Sequence, residues 1–418
     1  MTAPDGGPRE GGEGAPFRIA LLGHGTVGTA FEELLPERAD VIAGDLGQRP
    51  EIAGVLTRGR GDFDDLLGRS DLVVELIGGT DPALDYVLRA MRAGKHVVTA
   101  NKQLLSQHGE ELYAAAAEHG VQLRFEAAVA GVVPVIRVIA ETLAAAHIDR
   151  VHGIVNGTTN FILSAMARSG SSYEEALAEA KELGYAEADP TEDVTGKDAA
   201  AKMAIIARLA FGAPVHLDDV PHEGIEHLTG EDIAYAEELG LSLKLIGSAE
   251  RQQDGIAVRV FPAFLYRDHP LASVEGAFNA VTIESSAFTE ITLSGPGAGG
   301  PQTATAVLGD VVSVMAPPPV GPPAPVNLSL VSDIESAFYL HLEVADRPGV
   351  LAQVAEILGL QGASIGSVVQ KGIGDDARLV MVMHPVLESK FRAAVDLIER
   401  LDFVRSPPRV IRVIEEVF

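Results

Sequence analysis

Short runs of apolar residues alternate with amphipathic stretches along the first third of the chain. Residues 17–22 are almost wholly apolar, as expected for a strand that is buried on both faces of a parallel sheet. Further strand-like runs follow, separated by segments with the 3.6-residue periodicity of helices. This alternation predicts right-handed β-α-β units in a Rossmann-type, doubly wound α/β sheet. The predicted strands lie at 17–22, 51–56, 72–77 and 95–99, and the predicted helices at 29–35 and 82–93.

The pattern changes beyond residue 215. Mixed strand segments replace the regular alternation and predict a second, α+β domain with a mixed sheet. A glycine-rich turn at 295–301 precedes a predicted helix at 303–315, and the proline-rich segment 316–326 is typical of a semi-rigid linker. After it, the order β-α-β-β-α-β occupies about 80 residues, which is the ferredoxin-like plan.

Composition excludes several classes of function. The 418 residues contain no cysteine, which rules out a disulfide framework, thiolate metal sites and cysteine nucleophiles. The net charge of −27, from 59 acidic and 32 basic residues, argues against a nucleic-acid or anionic-membrane partner. No apolar run reaches the roughly 18 residues of a membrane span, and no signal-peptide pattern is present. We therefore expect a cytoplasmic protein, with a disordered leader at 1–16.

A glycine motif lies between the first predicted strand and helix. Gly23, Gly25 and Gly28 form G-x-G-x-x-G in the context that a dinucleotide site requires. Gly23 would permit the tight turn, Gly25 the close approach of pyrophosphate, and Gly28 the packing of helix on strand. The alternative is a structural glycine-rich turn without a ligand.

The end of the second predicted strand bears on the choice of cofactor. An acidic residue there usually binds the ribose 2′-hydroxyl of NAD, but Arg58 and Arg60 occupy this turn and no acid precedes Asp62. Two arginines could hold a 2′-phosphate, so NADP is favoured, with NAD possible if they are plain surface residues. Ligands bind outside the carboxyl ends of such strands, which also brings residues 78–80 and Lys102 to the predicted site.

Ionisable residues are concentrated between Glu187 and Lys202, where five carboxylates and two ammonium groups occur. Asp198 and Lys202 are four residues apart, so they project from one face of a helix predicted to begin near Thr195, whose hydroxyl would cap it. A carboxylate and an amine at the end of a buried helix could bind and protonate a small polar substrate. The alternative is a solvated acidic loop with an ordinary ion pair.

Two further segments have unusual polar content. Glu126 lies in a strand-like apolar run, where its burial would be costly unless the carboxylate is paired or bound to a cation. The loop 156–160 is rich in small hydrogen-bonding groups and precedes a predicted helix at 161–168.

From Ala180 to Lys202 the chain contains, without a gap, the pattern A-x3-G-Y-A-x2-D-P-x2-D-V-x-G-x-D-x3-K. With this long signature, nearly the whole chain after residue 16 resembles the homoserine dehydrogenase family. The glycine motif, the segment 99–102, the loop 156–160 and the turn 295–299 follow in the family's order. The last domain resembles an ACT domain, with Asp346 and Gly349 at its ligand-binding loop.

The resemblance implies the interconversion of L-homoserine and L-aspartate 4-semialdehyde with NADP(H) or NAD(H). It implies that Lys202 is the proton donor and acceptor, that Asp198 assists it, and that Lys102 contacts both substrate and nicotinamide. Glu187 would bind the amino-acid part of the substrate. Gly157, Thr158 and Asp193 are assigned to the substrate site as well, although Asp193 is also compatible with shaping the loop.

The resemblance also implies cofactor and cation ligands. Thr26, Val27, Thr80 and Gly299 would contact the dinucleotide, together with Gly79. Glu126 and the main-chain oxygens of Val129, Gly131 and Val133 resemble the family's monovalent cation site, usually occupied by sodium. Hard cations prefer oxygen ligands, and this site would explain the buried carboxylate.

The resemblance completes the expected organisation. We expect a dinucleotide-binding domain at 17–134, completed by helix 303–315, a substrate, catalytic and dimerisation domain at 135–302, a linker at 316–336 and an ACT regulatory domain at 337–418. Threonine is the expected allosteric ligand, and a homodimer or homotetramer the expected assembly.

Three other functions would require different features of the sequence. Semialdehyde dehydrogenases that acylate phosphate need a nucleophilic cysteine, which is absent here. A hydroxy-acid dehydrogenase with an ACT domain would need a catalytic histidine–acid pair, for which no pattern is evident. An inactive dehydrogenase scaffold that serves as an amino-acid sensor is disfavoured by the intact Lys102, Glu187, Asp198 and Lys202.

Overall fold

A computed structural model describes residues 15–316, 329–372 and 377–414. The described residues form two compact units: unit 1 comprises residues 15–145 and 295–316, and unit 2 comprises residues 146–294, 329–372 and 377–414. Nearly all of the predicted leader, and the middle of the predicted linker, lie outside the described residues. Within the described ranges, no helix is long and apolar enough to cross a membrane.

The secondary-structure elements are numbered here in chain order. The strands are β1 (Phe17–Leu22), β2 (Pro50–Leu56), β3 (Leu72–Glu75), β4 (His96–Thr99), β5 (Leu123–Arg124), β6 (Arg150–Ile154), β7 (Leu241–Gln252), β8 (Gly255–Tyr266), β9 (Phe278–Ser285), β10 (Thr289–Pro296), β11 (Ser329–Leu330), β12 (Glu335–Val344), β13 (Ile365–Lys371), β14 (Ala377–Leu387) and β15 (Arg409–Ile414). The helices are α1 (Thr26–Leu46), α2 (Phe63–Gly68), α3 (Ala83–Arg92), α4 (Lys102–His119), α5 (Val135–Arg137), α6 (Gly157–Ser169), α7 (Tyr173–Glu182), α8 (Thr191–Val194), α9 (Lys197–Phe211), α10 (Gly230–Glu238), α11 (Gly300–Met315), α12 (Val350–Leu360) and α13 (Glu388–Glu399).

Unit 1 is built on a parallel sheet with the order β2-β1-β3-β4-β5, which confirms the predicted doubly wound fold. The inner strands β1, β3 and β4 are largely buried, whereas the edge strands β2 and β5 are partly exposed. Helices α1 and α11 pack against the sheet with Phe31, Leu35, Val307 and Val311 in the shared core. Helix α1 is much longer than the predicted 29–35 and contains Pro36. Burial of Phe31, Leu35, Ala39 and Ile42 along one face outweighs the local cost of the proline.

Unit 2 contains a mixed sheet with the order β10-β9-β6-β7-β8-β15-β12-β14-β13, and β11 pairs with the start of β8. The C-terminal elements β12-α12-β13-β14-α13-β15 follow the predicted ferredoxin-like order. Their core includes Phe338 stacked on Phe391, with ring centroids 4.1 Å apart. Strand β15 pairs in parallel with β8, so this module extends the sheet of the preceding segment.

Candidate active site

The glycine motif surrounds the start of α1. Gly23 has φ of +99°, and a Cβ atom there would lie 2.4 Å from the Leu76 carbonyl oxygen. A Cβ atom on Gly28 would lie 2.5 Å from the Gly23 carbonyl oxygen. By contrast, a Cβ atom on Gly25 would have no neighbour within 4 Å. Gly23 and Gly28 are therefore required by packing. The space next to Gly25 is open, so a ligand could approach the backbone closely there.

Two helix N-termini meet beside this loop. Helix α1 begins after Gly25 and α11 begins after Gly299, which has φ of +125°. A Cβ atom on Gly300 would lie 3.2 Å from the Thr26 side chain, so the two helix starts are in contact. Neither helix carries an acidic residue in its first turn. Unopposed N-terminal dipoles and amide groups suit an anion, as a dinucleotide pyrophosphate requires.

The carboxyl ends of β3 and β4 lie next in the sheet. Gly78 and Gly79 have φ of +78° and +70° after β3, and Thr80 follows them. The Asn101 side-chain amide donates a hydrogen bond to the Gly79 carbonyl (2.6 Å), and its oxygen caps α4 by accepting from Leu104 N (3.0 Å). Lys102 is the first residue of α4. The two loops that were predicted to border the ligand are thus tied together.

Arg58 and Arg60 lie in a narrow turn after β2. Thr57 N donates to the Arg60 carbonyl (2.8 Å), and both arginines are exposed. The glycine motif is joined to this end of β2, because Gly23 N donates to the Leu56 carbonyl (2.9 Å). The turn therefore adjoins the dinucleotide loop.

Glu126 is buried in unit 1 with two partners from the start of α5. Its carboxylate oxygens accept from the backbone amides of Ile136 and Arg137, each at 2.8 Å. Its own amide donates to Asp310 Oδ2 (2.7 Å). Burial, and then the nearby Asp310, raise the pKa of Glu126 to about 7, and burial raises the pKa of Asp310 to about 6.

The loop that follows Glu126 has a backbone conformation that side chains rarely adopt. Ala130 and Gly131 have successive φ angles of +58° and +64°, and Val129 and Val133 on either side are buried. No cluster of three acidic or histidine side chains that could hold a metal occurs among the described residues. A cation at this loop would therefore rely mainly on main-chain oxygens.

In unit 2, Lys202 and Asp198 form the ion pair that their spacing predicts. Lys202 Nζ donates to Asp198 Oδ2 and to the Val155 carbonyl, both at 2.7 Å, and Asp198 is buried. The helix start differs from the prediction: α9 is preceded by Gly196 with φ of +82°, and the Thr195 hydroxyl donates instead to the Thr191 carbonyl (2.7 Å). The left-handed glycine takes the cap position, so the threonine hydroxyl is directed back to α8.

The predicted loop 156–160 is instead the N-cap and first turn of α6, which begins at Gly157 rather than at 161 because the Asn156 side chain caps it. Asn156 also joins this turn to the acidic stretch. Its amide donates to Asp193 Oδ1 (2.7 Å) and Asp198 Oδ2 (2.8 Å), and its oxygen caps α6 at Thr159 N (2.8 Å). Thr158 Oγ1 donates to the carbonyl of Tyr185 (2.7 Å).

Gly157 is tightly packed, whereas Glu187, which was also predicted to bind substrate, is not. A Cβ atom on Gly157 would lie 2.7 Å from the Ala277 carbonyl oxygen. Glu187 is exposed on the loop between α7 and α8. The structure therefore brings Gly157, Thr158, Asp193, Asp198 and Lys202 together and leaves Glu187 at the surface.

Comparison with known proteins identifies the family. The chain matches "Homoserine dehydrogenase, NAD binding domain" over residues 23–126, "Homoserine dehydrogenase" over 134–312 and "ACT domain" over 339–403. Homoserine dehydrogenase of Corynebacterium glutamicum is 42% identical, and the match covers 98% of each chain. The chain belongs to the homoserine dehydrogenase family.

Solved structures of homoserine dehydrogenases agree with the fold. A crystal structure from Thiobacillus denitrificans has a TM-score of 0.90 at 38% identity, covering 96% of this chain and 99% of that one. A hyperthermophilic archaeal homoserine dehydrogenase in complex with NADPH has a TM-score of 0.61 at 26% identity, covering 72% of this chain and 97% of that one.

As a homoserine dehydrogenase, the protein interconverts L-homoserine and L-aspartate 4-semialdehyde with a nicotinamide cofactor. The comparisons support this enzyme rather than an inactive amino-acid sensor. The C-terminal ACT domain fits regulation by a small molecule.

Sequence reasoning missed Glu75 at the end of β3. This buried carboxylate accepts hydrogen bonds from Ile77 N (2.7 Å) and from Thr99 Oγ1 (2.6 Å), and burial raises its pKa. It therefore joins the ends of β3 and β4 beneath Gly78 and Asn101. The available signal was a lone carboxylate at the end of a buried strand. It was overlooked because the predicted strand extended to residue 77, which placed Glu75 in its interior.

Lys244 was missed because β7 was missed. It is buried, donates to Asn160 Oδ1 (3.3 Å) and to the Val274 carbonyl, and burial lowers its pKa to about 8. Asn160 in turn donates to the carbonyls of Val274, Gly276 and Phe278. These contacts fix the position of the first turn of α6.

Proposed function

We propose that Lys202 moves the proton at the substrate oxygen while Asp198 and Asn156 hold it in position. The observation that carries this proposal is the buried group formed by Lys202 Nζ, Asp198 Oδ2, the Val155 carbonyl and the Asn156 amide. When bound, the nicotinamide supplies or accepts the hydride. In the direction of reduction, the ammonium of Lys202 protonates the developing alkoxide.

The substrate groups are proposed on the same basis. The ordered Gly157, Thr158 and Asp193 beside Lys202 support roles in holding the substrate, and exposed Glu187 is available to the amino-acid ammonium. Lys102, placed at the start of α4 by the Asn101 cap, is proposed to contact substrate and nicotinamide. Homoserine-dependent reduction of NADP+ by the purified protein at alkaline pH tests the whole assignment, and no detectable turnover would favour the inactive sensor.

We propose NADP as the preferred cofactor, bound by unit 1. Gly23, Gly25, Thr26, Val27, Gly28, Gly79, Thr80 and Gly299 would hold its dinucleotide portion, and the exposed Arg58 and Arg60 adjoin the glycine loop at the end of β2. The NADPH in the archaeal relative is consistent with this choice. Guanidinium groups are well suited to a 2′-phosphate because they bind its oxygens in pairs.

Replacing Arg58 by alanine is expected to raise the KM for NADP+ by about 10-fold, as the loss of one charge-assisted hydrogen bond implies. The KM for NAD+ should change little, because NAD lacks the 2′-phosphate. Steady-state kinetics with both cofactors measure the difference. Arg38→Ala, an exposed arginine on α1, is the control. An equal rise for both cofactors would remove Arg58 from phosphate recognition.

A monovalent cation, sodium in our proposal, would be held by Glu126 and the main-chain oxygens of Val129, Gly131 and Val133. The buried carboxyls of Glu126 and Asp310 lie together, and Arg137 Nη2 is 3.3 Å from Asp310 Oδ1. The guanidinium of Arg124 also acts on Asp310, but it pairs with Glu141. Two guanidinium groups do not balance these three carboxylates, so a bound cation would stabilise the ionised forms of Glu126 and Asp310.

Sodium is expected to raise the Tm of the wild-type protein relative to the same ionic strength of tetramethylammonium, because ligand binding stabilises the folded state. Glu126→Gln should lose this sodium-specific shift. Glu141→Gln, which removes a partly buried acid that pairs with Arg124, is the matched control and should keep it. Identical melting curves in the two salts would contradict the cation site.

The ACT domain at 337–418 is proposed to bind threonine at the loop containing Asp346 and Gly349. Asp346 is exposed, and Gly349 has φ of +92° at the start of α12.

We also propose a homodimer or homotetramer, which sedimentation equilibrium would test; a monomer at micromolar concentration would contradict it.

Calorimetry is expected to show threonine binding to the wild-type protein and at least 10-fold weaker binding to Gly349→Ala. A side chain at this left-handed position strains the loop by about 1–2 kcal/mol. Gly359→Ala is the matched control and should bind normally, because Gly359 lies in the last turn of α12, where a Cβ atom would have no neighbour within 4 Å. If the wild type does not bind threonine, the assignment of this ligand is wrong.

A further inference from the structure

A cavity of about 300 Å³ lies in unit 2 along the edge of β8. The start of this edge pairs with β11 at Gly255 and Ile256, and its end pairs with β15 from Ala263 onward. Between them, residues 258–261 face the segment 219–223 and helix α13 instead of another strand. The cavity thus arises where the catalytic segment and the ACT domain share one sheet. Its volume is at the lower end of ligand sites.

Charged side chains of both signs line this cavity. Arg259 and Arg412 are its guanidinium groups, and Asp219, Glu223 and Glu388 are its carboxylates. Arg259 Nη1 donates to Glu388 (3.2 Å), and Arg412 Nη1 donates to Glu223 (2.8 Å). Arg392 also donates to both glutamates, and Arg412 donates to Glu388 as well, so Asp219 is the lining carboxylate without an arginine partner among the described residues. A simple anion would meet the carboxylates of this lining, and a simple cation would meet its arginines.

Arg259 is incompletely satisfied. It is only 6% exposed, yet its Nη2 atom has no hydrogen-bond partner among the described residues. Burial lowers the pKa of this arginine, which reflects the cost of holding its charge away from water. A buried guanidinium nitrogen without a protein acceptor is unusual, and it retains a hydrogen bond that a ligand carboxylate could accept.

We propose that this cavity binds a free α-amino acid, with its carboxylate on Arg259 and its ammonium on the acidic side of the lining. A zwitterion pairs its carboxylate with the basic side chains of the lining and its ammonium with the acidic ones, whereas a simple anion or cation can pair with only one of the two sets. The site is separate from the ACT loop at Asp346 and Gly349, because neither residue lines the cavity.

The wall of the cavity contacts the start of α9. Glu223 N donates to the Val260 carbonyl, and Ile225 N donates to the Val194 carbonyl, both at 2.9 Å. A Cβ atom on Gly196, the residue before α9, would lie 2.8 Å from the Glu223 carbonyl oxygen. A ligand that displaces Glu223 would therefore shift the helix that carries Asp198 and Lys202. We expect occupancy to change kcat, a consequence that rests on the proposed role of Lys202.

Calorimetry on the full chain tests binding independently of activity. The probes are glycine, L-threonine and L-methionine, with acetate and methylammonium at equal ionic strength as half-ligands. At least one amino acid should bind where neither half-ligand does, and Arg259→Gln should weaken that binding by at least 10-fold. Arg267→Gln, an exposed arginine just after β8, is the control and should bind normally. Gly349→Ala should leave this binding in place.

A second variant protects the test against misfolding of Arg259→Gln. Ser332→Phe places a bulky ring at the exposed rim of the cavity and removes no charge. It should also abolish the binding. Amino-acid binding that persists in Ser332→Phe, or that is lost in Gly349→Ala while Arg259→Gln retains it, would overturn the proposal. Binding with unchanged kcat would overturn the coupling to α9 alone.

Discussion

Replacing Lys202 by alanine is expected to lower kcat by about 10²–10⁴-fold, the usual contribution of a positioned general acid or base. The ammonium is held at 2.7 Å from both Asp198 Oδ2 and the Val155 carbonyl, so its position is set before substrate arrives. Truncation removes the proposed proton donor and leaves the buried Asp198 without its cation. Turnover should be measured in both directions with saturating cofactor.

Lys197→Ala is the matched control for this prediction. Lys197 lies on the same helix but is exposed, and it pairs with Glu192 at 3.1 Å. Surface ion pairs contribute little, so its kcat should stay within about 2-fold of wild type. A Tm measurement separates lost chemistry from lost folding, and Lys202→Met, which keeps the apolar stem, repeats the test if alanine destabilises the helix. Near-normal turnover in a folded Lys202 variant would exclude this residue from the chemistry.

Part of this site could be predicted from local spacing. Asp198 and Lys202 are one helical turn apart, so their pairing follows from helix geometry alone. Asn156 lies 37 residues before Asp193 and 42 before Asp198, and it reaches both only through the tertiary fold. No local pattern distinguishes such an asparagine from an ordinary helix cap. Glu75 was hidden for a similar reason, because its partner Thr99 belongs to the next strand.

The sheets show the same division between local and long-range information. The strands of unit 1 are short apolar runs that recur at regular intervals, and they were found. Strand β7 is buried along most of its length, so it lacks the two-residue alternation that marks a half-exposed strand. The pairing of β15 with β8 could not be predicted from a local pattern, because it joins residues about 150 positions apart.

Replacing Gly25 by valine is expected to raise the KM for NADP+ by about 10–100-fold while changing the free energy of unfolding by less than about 0.5 kcal/mol. Gly25 has an extended backbone with φ of −85°, which valine adopts readily, and its Cβ position is open. The new side chain therefore occupies the space that the pyrophosphate would need. Cofactor titration and urea unfolding of the same preparation measure the two effects.

Gly28→Ala should have the opposite profile, which makes it the decisive comparison. Its Cβ atom would lie 2.5 Å from the backbone oxygen of Gly23, so helix α1 must move away from β1. Overpacking against backbone costs about 1–3 kcal/mol, and this loss should appear in unfolding without any ligand present. The two variants should thus separate a glycine that packing requires from the glycine that is proposed to admit the cofactor. If the Gly25→Val protein binds NADP+ as tightly as wild type, the dinucleotide site is not at this loop. If it unfolds as easily as Gly28→Ala, Gly25 is required for packing as well.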